Sequence, residues 1–300
     1  MSSPENPQVE PEPPSNSEPT VPAPSATDPF ALAPRVEASQ APAPAENPVW
    51  NGWDVLQIAG LALLSVFVLQ VVILFAVRQF AYPRLPLREV AQKPIVAILA
   101  QLLAYILVAL FMVLLIEGKY HERFWQAIRW NWPAHKSVML LGIGVLTVSL
   151  DLLSHFLPMP KSTPFEQLFA RPLDAYMVST FAVTLGPLME ELFFRGFLYP
   201  VLARRMGMAW AVIFTALPFG LIHSVQYGNA WSAVLVIFLV GVVLTTVRAV
   251  TKSVAASFLV HVGYNGTLMI LAAIATDGFR HMDKAGMLVF RMCGAPHILR

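Results

Sequence analysis

The sequence has few charged residues and a single cysteine. Asp, Glu, Lys and Arg make up 13% of its 300 residues, whereas an ordinary soluble domain carries about a quarter of its residues as charges. Together with a mean hydropathy of +0.61, this scarcity excludes a soluble globular protein. The lone Cys293 excludes an internal disulfide framework and any multi-cysteine metal site.

The sequence also lacks a dense stripe of Lys and Arg, so nucleic acid is not expected as a partner. The formal net charge of +2 is the sum of two unlike parts. Residues 1–49 hold seven acidic residues against one base, and the remainder holds eleven acidic against nineteen basic residues. A basic excess of eight on an apolar body indicates loops that rest against anionic lipid headgroups.

Residues 1–49 lack the apolar content of a folded domain. Thirteen of the 25 prolines lie before residue 49, among Glu, Ala and Ser, and such a composition cannot bury enough apolar surface to offset the entropy of ordering. We therefore predict a disordered, Pro-rich acidic tail over residues 1–49. Its first thirty residues contain no basic segment followed by an apolar one, so it is not a secretory signal peptide.

From Trp50 onward the chain is rich in apolar runs, which can be compared with the roughly 20 residues that cross a bilayer as a helix. Seven runs qualify or nearly do: Val55–Val77, Ile95–Ile116, Val138–Leu157, Tyr176–Leu202, Met208–His223, Ala230–Val247 and Val254–Ala275. They predict an all-α fold, a multi-pass transmembrane bundle of six to eight spans. Basic residues are divided evenly between the two sets of loops, so the positive-inside rule leaves the orientation open.

Two features of the first half have alternative interpretations. The segment Lys119–Pro133 carries aromatic residues at helical spacing beside two arginines, which fits either a short interfacial helix or a polar loop with aromatic anchors. Asp151 and His155 form an i, i+4 polar pair in the third run. We favour a satisfied polar contact near the end of that helix over a place in a polar cavity.

The fourth run contains three charged residues, Glu190, Glu191 and Arg195, and each charge near the bilayer centre costs about 2.5–3.5 kcal/mol. Glu191 and Arg195 are i and i+4 with the acid first, the favourable order for an ion pair, whereas Glu190 is rotated by about 100°. This spacing predicts a structural Glu191–Arg195 pair and leaves Glu190 free for chemistry. Gly186-Pro187, one turn earlier, predicts a helix kink. The alternative is that the charged groups lie at a helix end and snorkel to the headgroups.

Two later runs carry polar residues on one helix face each. Phe219 and His223 are i and i+4 in the fifth run, and His261 and Asn265 are i and i+4 in the seventh. A lone intramembrane histidine is often a satisfied helix contact, but polar groups on three helices all need partners in the bundle interior. A carboxylate with two imidazoles and an amide can activate a water and stabilise an oxyanion. The set therefore predicts a hydrolase.

The motifs of other hydrolase classes are missing from the sequence. It contains no Gly-x-Ser-x-Gly elbow, no cysteine within a span and no Gly-x-Gly-Asp motif. His121-Glu122 is not followed by the second histidine of a zinc-binding helix, because Trp125 holds that place. The carboxylate and histidine set is the remaining candidate.

The three polar motifs resemble those of the CPBP family of intramembrane proteases, which includes the type II CAAX-prenyl endopeptidases and bacterial immunity-type homologues. The motifs are, in chain order, Glu190-Glu191-x-x-x-Arg195, Phe219-x-x-x-His223 and His261-x-x-x-Asn265. The resemblance covers about residues 174–275. It implies an all-helical membrane fold with a polar intramembrane cavity.

By position, the resemblance implies a role for each motif residue. Glu190 and His223 would activate the water, and His261 and Asn265 would support the oxyanion or position the substrate. Supporting roles fall to Glu191, Arg195 and Phe219. Zinc is a candidate cofactor, with Glu190, His223 and His261 as its ligands. Asn265 is a poor zinc ligand and a good oxyanion donor, which favours the metal-free account.

The resemblance also implies a domain order and a substrate class. Together with composition and hydropathy, which alone define the part before residue 174, it divides the chain into a tail (1–49), N-terminal membrane helices with an interfacial segment (50–173), a catalytic core (174–276) and a C-terminal tail (277–300). The expected partners are the lipid bilayer and a peptide or protein substrate, which eukaryotic members receive prenylated and shorten by its last three residues. The Pro-rich tail and short loops favour a bacterial inner membrane.

Two other functional classes use similar polar residues. A non-catalytic membrane scaffold or immunity-type partner-binding protein would retain the polar set only for bundle packing. A transporter or proton pathway also contains buried acids and histidines, but transporters often have paired internal repeats, and the double-Glu segment has no counterpart in the first half of the chain. We therefore expect a multi-pass intramembrane endopeptidase.

Overall fold

The computed structural model describes residues 46–133 and 171–281, together with residues 143, 146, 150, 153, 156–158 and 163–169 between them. Residues 1–45 of the predicted tail, the Asp151 and His155 pair and residues 282–300 lie outside the described residues. Throughout the described ranges the regular structure is helical and contains no strand, which confirms the all-α prediction for this part of the chain.

The described elements are, in chain order, α1 (Gly52–Phe80), α2 (Leu87–Ala91), α3 (Pro94–Val113), α4 (Phe124–Ala127), α5 (Pro172–Val183), α6 (Leu185–Glu190), α7 (Tyr199–Ile222), α8 (Trp231–Thr251) and α9 (Val254–Ala275). Two π-helical segments, Leu114–Lys119 and Glu191–Leu198, continue α3 and α6. Short 3-10 turns cover Phe165–Phe169 and Val225–Tyr227.

Within the described ranges, five helical stretches are long and apolar enough to cross a membrane: Gly52–Phe80, Pro94–Lys119, Pro172–Ile222, Trp231–Thr251 and Val254–Ala275. Only 11% of the most apolar window of Gly52–Phe80 is buried inside the protein. A helix that is apolar all round and yet so little covered by protein needs a lipid environment. The helical bundle is therefore that of an integral membrane protein.

The 51-residue stretch Pro172–Ile222 reverses direction within its length and is not one straight helix. In a straight helix, Glu190 and His223 would be about 50 Å apart, yet the Glu190 Oε1 and His223 Nε2 atoms are 3.7 Å apart. The reversal lies at Gly207, whose φ of 79° and ψ of 171° are not helical. The predicted runs Tyr176–Leu202 and Met208–His223 are thus separate crossings.

Six of the seven predicted runs lie in these helices. Most of the remaining run, Val138–Leu157, is outside the described residues. Its described members Leu146 and Leu150 are buried and pack in one cluster with Phe219 and Val240.

Helix α8 extends from one end of the bundle to the other. Near its start, Ser232 Oγ donates to Pro158 O (2.9 Å), and near its end Arg248 pairs with Glu46 (2.9 Å). Ser232 and Arg248 are sixteen residues apart, which corresponds to about 24 Å along a helix. We refer to these as the Pro158 end and the Glu46 end.

At the Glu46 end, residues 46–50 form a strap that packs against the helices. Glu46 is only 4% exposed, and its Oε1 accepts from Arg129 (3.0 Å) and Arg248 (2.9 Å). Sequence composition placed Glu46 in the tail, because a single buried acid among prolines carries no signal of its distant arginine partners. The strap belongs to the packed part of the protein.

The strap also contacts the second π-helical segment. The indole Nε1 of Trp50 donates to Phe197 O (3.0 Å), and the two rings are 4.9 Å apart. Arg204 adds hydrogen bonds to the carbonyl oxygens of Pro48 and Trp50. Residues far apart in sequence therefore fix the segment that follows Glu190.

The segment Lys119–Pro133 is mostly a loop. Its only regular helix is the four-residue α4, because His121 and Arg129 have φ values of 57° and 61° that interrupt a right-handed helix. Phe124 is buried, whereas Trp132 is 64% exposed. The loop with aromatic anchors is the interpretation that fits, and a continuous interfacial helix does not form.

Candidate active site

The predicted helix kink lies between α5 and α6. The non-helical residue is Thr184, with φ −114° and ψ −77°, three residues before Pro187. Proline has no backbone N–H, so the helical ladder cannot continue across this point. The break starts a new short helix whose last residue is Glu190.

The π-helical segment Glu191–Leu198 then carries the predicted ion pair. Arg195 NH1 and Glu191 Oε1 are 2.9 Å apart, and both side chains are fully buried. The i, i+4 spacing thus pairs these two residues as the sequence indicates. The π geometry itself has no sequence signal, although π-bulges are frequent at functional sites.

The Arg195 guanidinium is held on all sides within the bundle. Its Nε donates to Thr245 Oγ1 (3.2 Å) and its NH2 to Gly241 O (3.1 Å). It also lies 4.4 Å from the centre of the Phe219 ring. These contacts satisfy a charge that would otherwise be very unfavourable inside a membrane protein.

Glu191 has a second partner that the sequence spacing does not reveal. Its Oε1 also lies 2.9 Å from His261 Nδ1. A carboxylate acceptor at Nδ1 fixes the proton on that nitrogen. The lone pair of Nε2 in the neutral imidazole then faces the cavity.

His223 is oriented in the same way. It follows directly after α7, and its Nδ1 lies 2.7 Å from Phe219 O, an acceptor that places the proton on Nδ1. The Nε2 atoms of His223 and His261 lie 3.7 and 3.6 Å from Glu190 Oε1 and Oε2. The imidazoles of two predicted site residues therefore meet at the carboxylate of a third, and the three residues come from three separate helical segments.

The spacing around Glu190 suits a bridging water. Distances of 3.6–3.7 Å exceed those of direct hydrogen bonds, and a gap of that length is commonly filled by water. With both imidazoles neutral, the two Nε2 lone pairs and the carboxylate oxygens are all acceptors, so a donor placed between them would satisfy them. A water molecule can supply the hydrogens.

Asn265 lines the same cavity, and its side-chain amide already makes one hydrogen bond to the backbone. Its Nδ2 donates to Ala182 O (2.9 Å), a carbonyl next to the break between α5 and α6. An amide nitrogen carries two hydrogens, so one remains for a ligand. The structure thus brings all four predicted catalytic residues to one place.

The cavity has a volume of about 600 Å³. Its polar lining includes the four residues above and, from α3, Gln101 and Tyr105; most of the other lining side chains are apolar. These two α3 residues lie outside the three predicted motifs. The available signal was that they are the two polar residues of the run Ile95–Ile116, at i, i+4 spacing.

Phe219 supports the site by packing. Its ring contacts the rings of His223 (5.1 Å) and His261 (5.9 Å). This arrangement requires a glycine opposite, because a Cβ at Gly241 would lie 2.9 Å from Phe219 Cδ1.

We therefore expect Gly241→Ala to destabilise the protein by about 1–3 kcal/mol through overpacking and to slow any reaction at the site by displacing Phe219. Thermal unfolding followed by tryptophan fluorescence measures the first effect. Gly60→Ala is the control, since nothing lies within 4 Å of a Cβ there. Equal unfolding temperatures for the two variants would contradict the packing account.

The resemblance implies a zinc site formed by Glu190, His223 and His261. Among the described residues, no group of three or more His, Cys, Asp and Glu side chains is placed to hold a metal ion. The chemistry considered below uses only the side chains.

Comparison with known families adds a finding for part of the chain. Residues 172–267 match the family model described as type II CAAX prenyl endopeptidase Rce1-like, which is a family of proteases. The match covers about a third of the chain and includes every residue of the three polar motifs. No curated protein and no solved structure shows a match to the chain.

Proposed function

We propose that this protein is an intramembrane endopeptidase in which Glu190 is the general base. The observation that carries the proposal is the meeting of two imidazole Nε2 atoms at the Glu190 carboxylate, at 3.6 and 3.7 Å, inside a cavity of a membrane-spanning bundle. The protease family matched by residues 172–267 supports the same reaction class.

The reaction begins with a water held between Glu190 and His223. Glu190 takes a proton from the water, whose oxygen attacks the carbonyl carbon of the scissile peptide bond. The carbonyl π electrons move to its oxygen and form an oxyanion. When the C–N bond breaks, its electron pair goes to nitrogen, which takes the proton from Glu190.

His261 and Asn265 act on the oxyanion side. Because His261 donates from Nδ1 to Glu191 (2.9 Å), only its protonated form carries a hydrogen on Nε2 for the oxyanion. Asn265 contributes the N–H that is not bonded to Ala182.

The proposed substrate is the C-terminal segment of a prenylated protein, from which three residues are released. The family description supports this choice, as does a cavity whose lining combines one polar corner with apolar walls. We place the protein in a bacterial inner membrane on the composition of its Pro-rich N-terminal region.

The test uses purified protein in lipid nanodiscs. One peptide carries a farnesylated C-terminal Cys-aliphatic-aliphatic-X sequence, and its twin lacks the farnesyl group. Mass spectrometry is expected to detect release of the tripeptide from the prenylated peptide, at a rate unchanged by EDTA.

Three outcomes would contradict different parts of the proposal. If neither peptide is cut, the protease hypothesis is wrong and a non-catalytic scaffold is favoured. If both are cut equally, the protease stands and the prenyl requirement is wrong. Loss of activity in EDTA that zinc restores would refute the metal-free base.

A further inference from the structure

Helix α3 contributes two polar side chains to the cavity although it lies outside the segment matched by the protease family. Gln101 and Tyr105 are one turn apart on the same helix face, and both line the cavity. An amide and a phenol inside an uncharged membrane span are unfavourable unless they face polar partners or a cavity in the bundle interior. The motif residues do not account for either of them.

Tyr105 is fixed where it can act on a ligand near Glu190. Its ring stacks on Phe181 of α5, with centroids 5.6 Å apart and an angle of 12° between the planes. Tyr105, Gln101 and Glu190 line the same cavity. A carboxamide can donate to a phenol oxygen, which would leave the hydroxyl hydrogen for a ligand.

Asn265 and His261 are less ready to donate to an oxyanion than Tyr105. Asn265 gives one of its two amide hydrogens to Ala182 O, and neutral His261 carries its hydrogen on Nδ1, bonded to Glu191. The phenol keeps its hydrogen at neutral pH and needs no prior proton transfer. An oxyanion site requires such preorganised donors.

We propose that Tyr105 is a catalytic residue whose hydroxyl donates to the oxyanion formed when the Glu190-activated water attacks the substrate carbonyl. This inference rests on the proposed function. In this proposal Gln101, one turn earlier on the same helix face, is the positioning residue that donates to the phenol oxygen. The N-terminal helices thereby complete the active site, and the segment 172–267 supplies only part of it.

The kinetic test is Tyr105→Phe, which keeps the ring stack on Phe181 and removes the hydroxyl. A donor used in the transition state changes kcat and leaves KM nearly constant, so kcat is expected to fall on the order of 100-fold. Tyr176→Phe is the matched control, because Tyr176 is 51% exposed and does not line the cavity. Its kcat is expected to match that of wild type.

A binding measurement separates this inference from the proposed function. The probe is a farnesylated peptide in which a phosphinate replaces the scissile amide, a tetrahedral anionic group that mimics the intermediate. Tyr105→Phe is expected to bind it at least about tenfold more weakly than wild type, and to bind the parent peptide equally well in a Glu190→Gln background.

Each outcome has a distinct meaning. If wild type cuts the peptide and Tyr105→Phe does so with the same kcat and phosphinate affinity, the Tyr105 inference is wrong and the protease proposal stands. If Tyr105→Phe loses both ligands equally or unfolds at a lower temperature, the hydroxyl has a structural role instead. If wild type neither cuts the peptide nor binds the phosphinate, both proposals fail.

Discussion

Glu190→Gln is expected to lower kcat for peptide cleavage by roughly 10²- to 10⁴-fold, the contribution of a positioned general base, while the protein stays folded. The amide has nearly the same size as the carboxylate but cannot take a proton from water. Since Glu190 faces two imidazoles and a cavity rather than the Arg195 guanidinium, its loss leaves the buried ion pair intact. The unfolding temperature should therefore remain close to that of wild type.

Glu122→Gln is the matched control for this experiment, because Glu122 is exposed and outside the cavity lining. It should cleave like wild type. Glu190→Gln with undiminished kcat would remove Glu190 from the reaction. If Glu190→Gln also unfolds at a clearly lower temperature than wild type, Glu190 has a structural role instead.

Arg195→Met is expected to have the largest effect on stability, about 3–5 kcal/mol, because it leaves the fully buried Glu191 carboxylate without its cation. The variant should be recovered in low yield and unfold at a much lower temperature. Arg205→Met is the control, since Arg205 is exposed and lies in α7, which directly follows the π-helical segment. This variant should unfold at the same temperature as wild type.

The double variant Glu191→Gln, Arg195→Met distinguishes a charge effect from a packing effect. Removing both charges takes away the uncompensated carboxylate, so the double variant should be more stable than Arg195→Met alone. Its activity should remain low, because His261 loses the carboxylate at Nδ1. If the double variant is as unstable as the single one, the contacts of the arginine stem dominate over its charge.

The parts of the site that follow helical periodicity could be predicted from the sequence. Glu191 and Arg195 are neighbours because they are one turn apart, and the structure pairs them. The same reasoning identified His223 and His261 as residues that need interior partners, and both face Glu190. Local spacing was sufficient in each case because the side-chain direction follows from the helix itself.

The parts that depend on long-range packing could not be predicted. The contact between Glu191 and His261 joins residues seventy positions apart, and no spacing rule specifies it. The strap was assigned to the tail because its composition is that of the tail, whereas its fold depends on Arg129 and Arg248. Gln101 and Tyr105 were visible as polar residues, but their direction toward the cavity depends on how α3 packs.

The strap and part of the cavity lining lie at opposite ends of α8. The strap packs at the Glu46 end, where Arg248 lies in the last turn of α8, whereas the cavity lining includes Val225, Gln226 and Ala233 near the Pro158 end. The strap is joined to the π-helical segment that follows Glu190 through the hydrogen bond from Trp50 to Phe197. A change in the packing of the strap is therefore expected to reach the candidate site through the backbone of that segment, from the end of the bundle remote from Ala233.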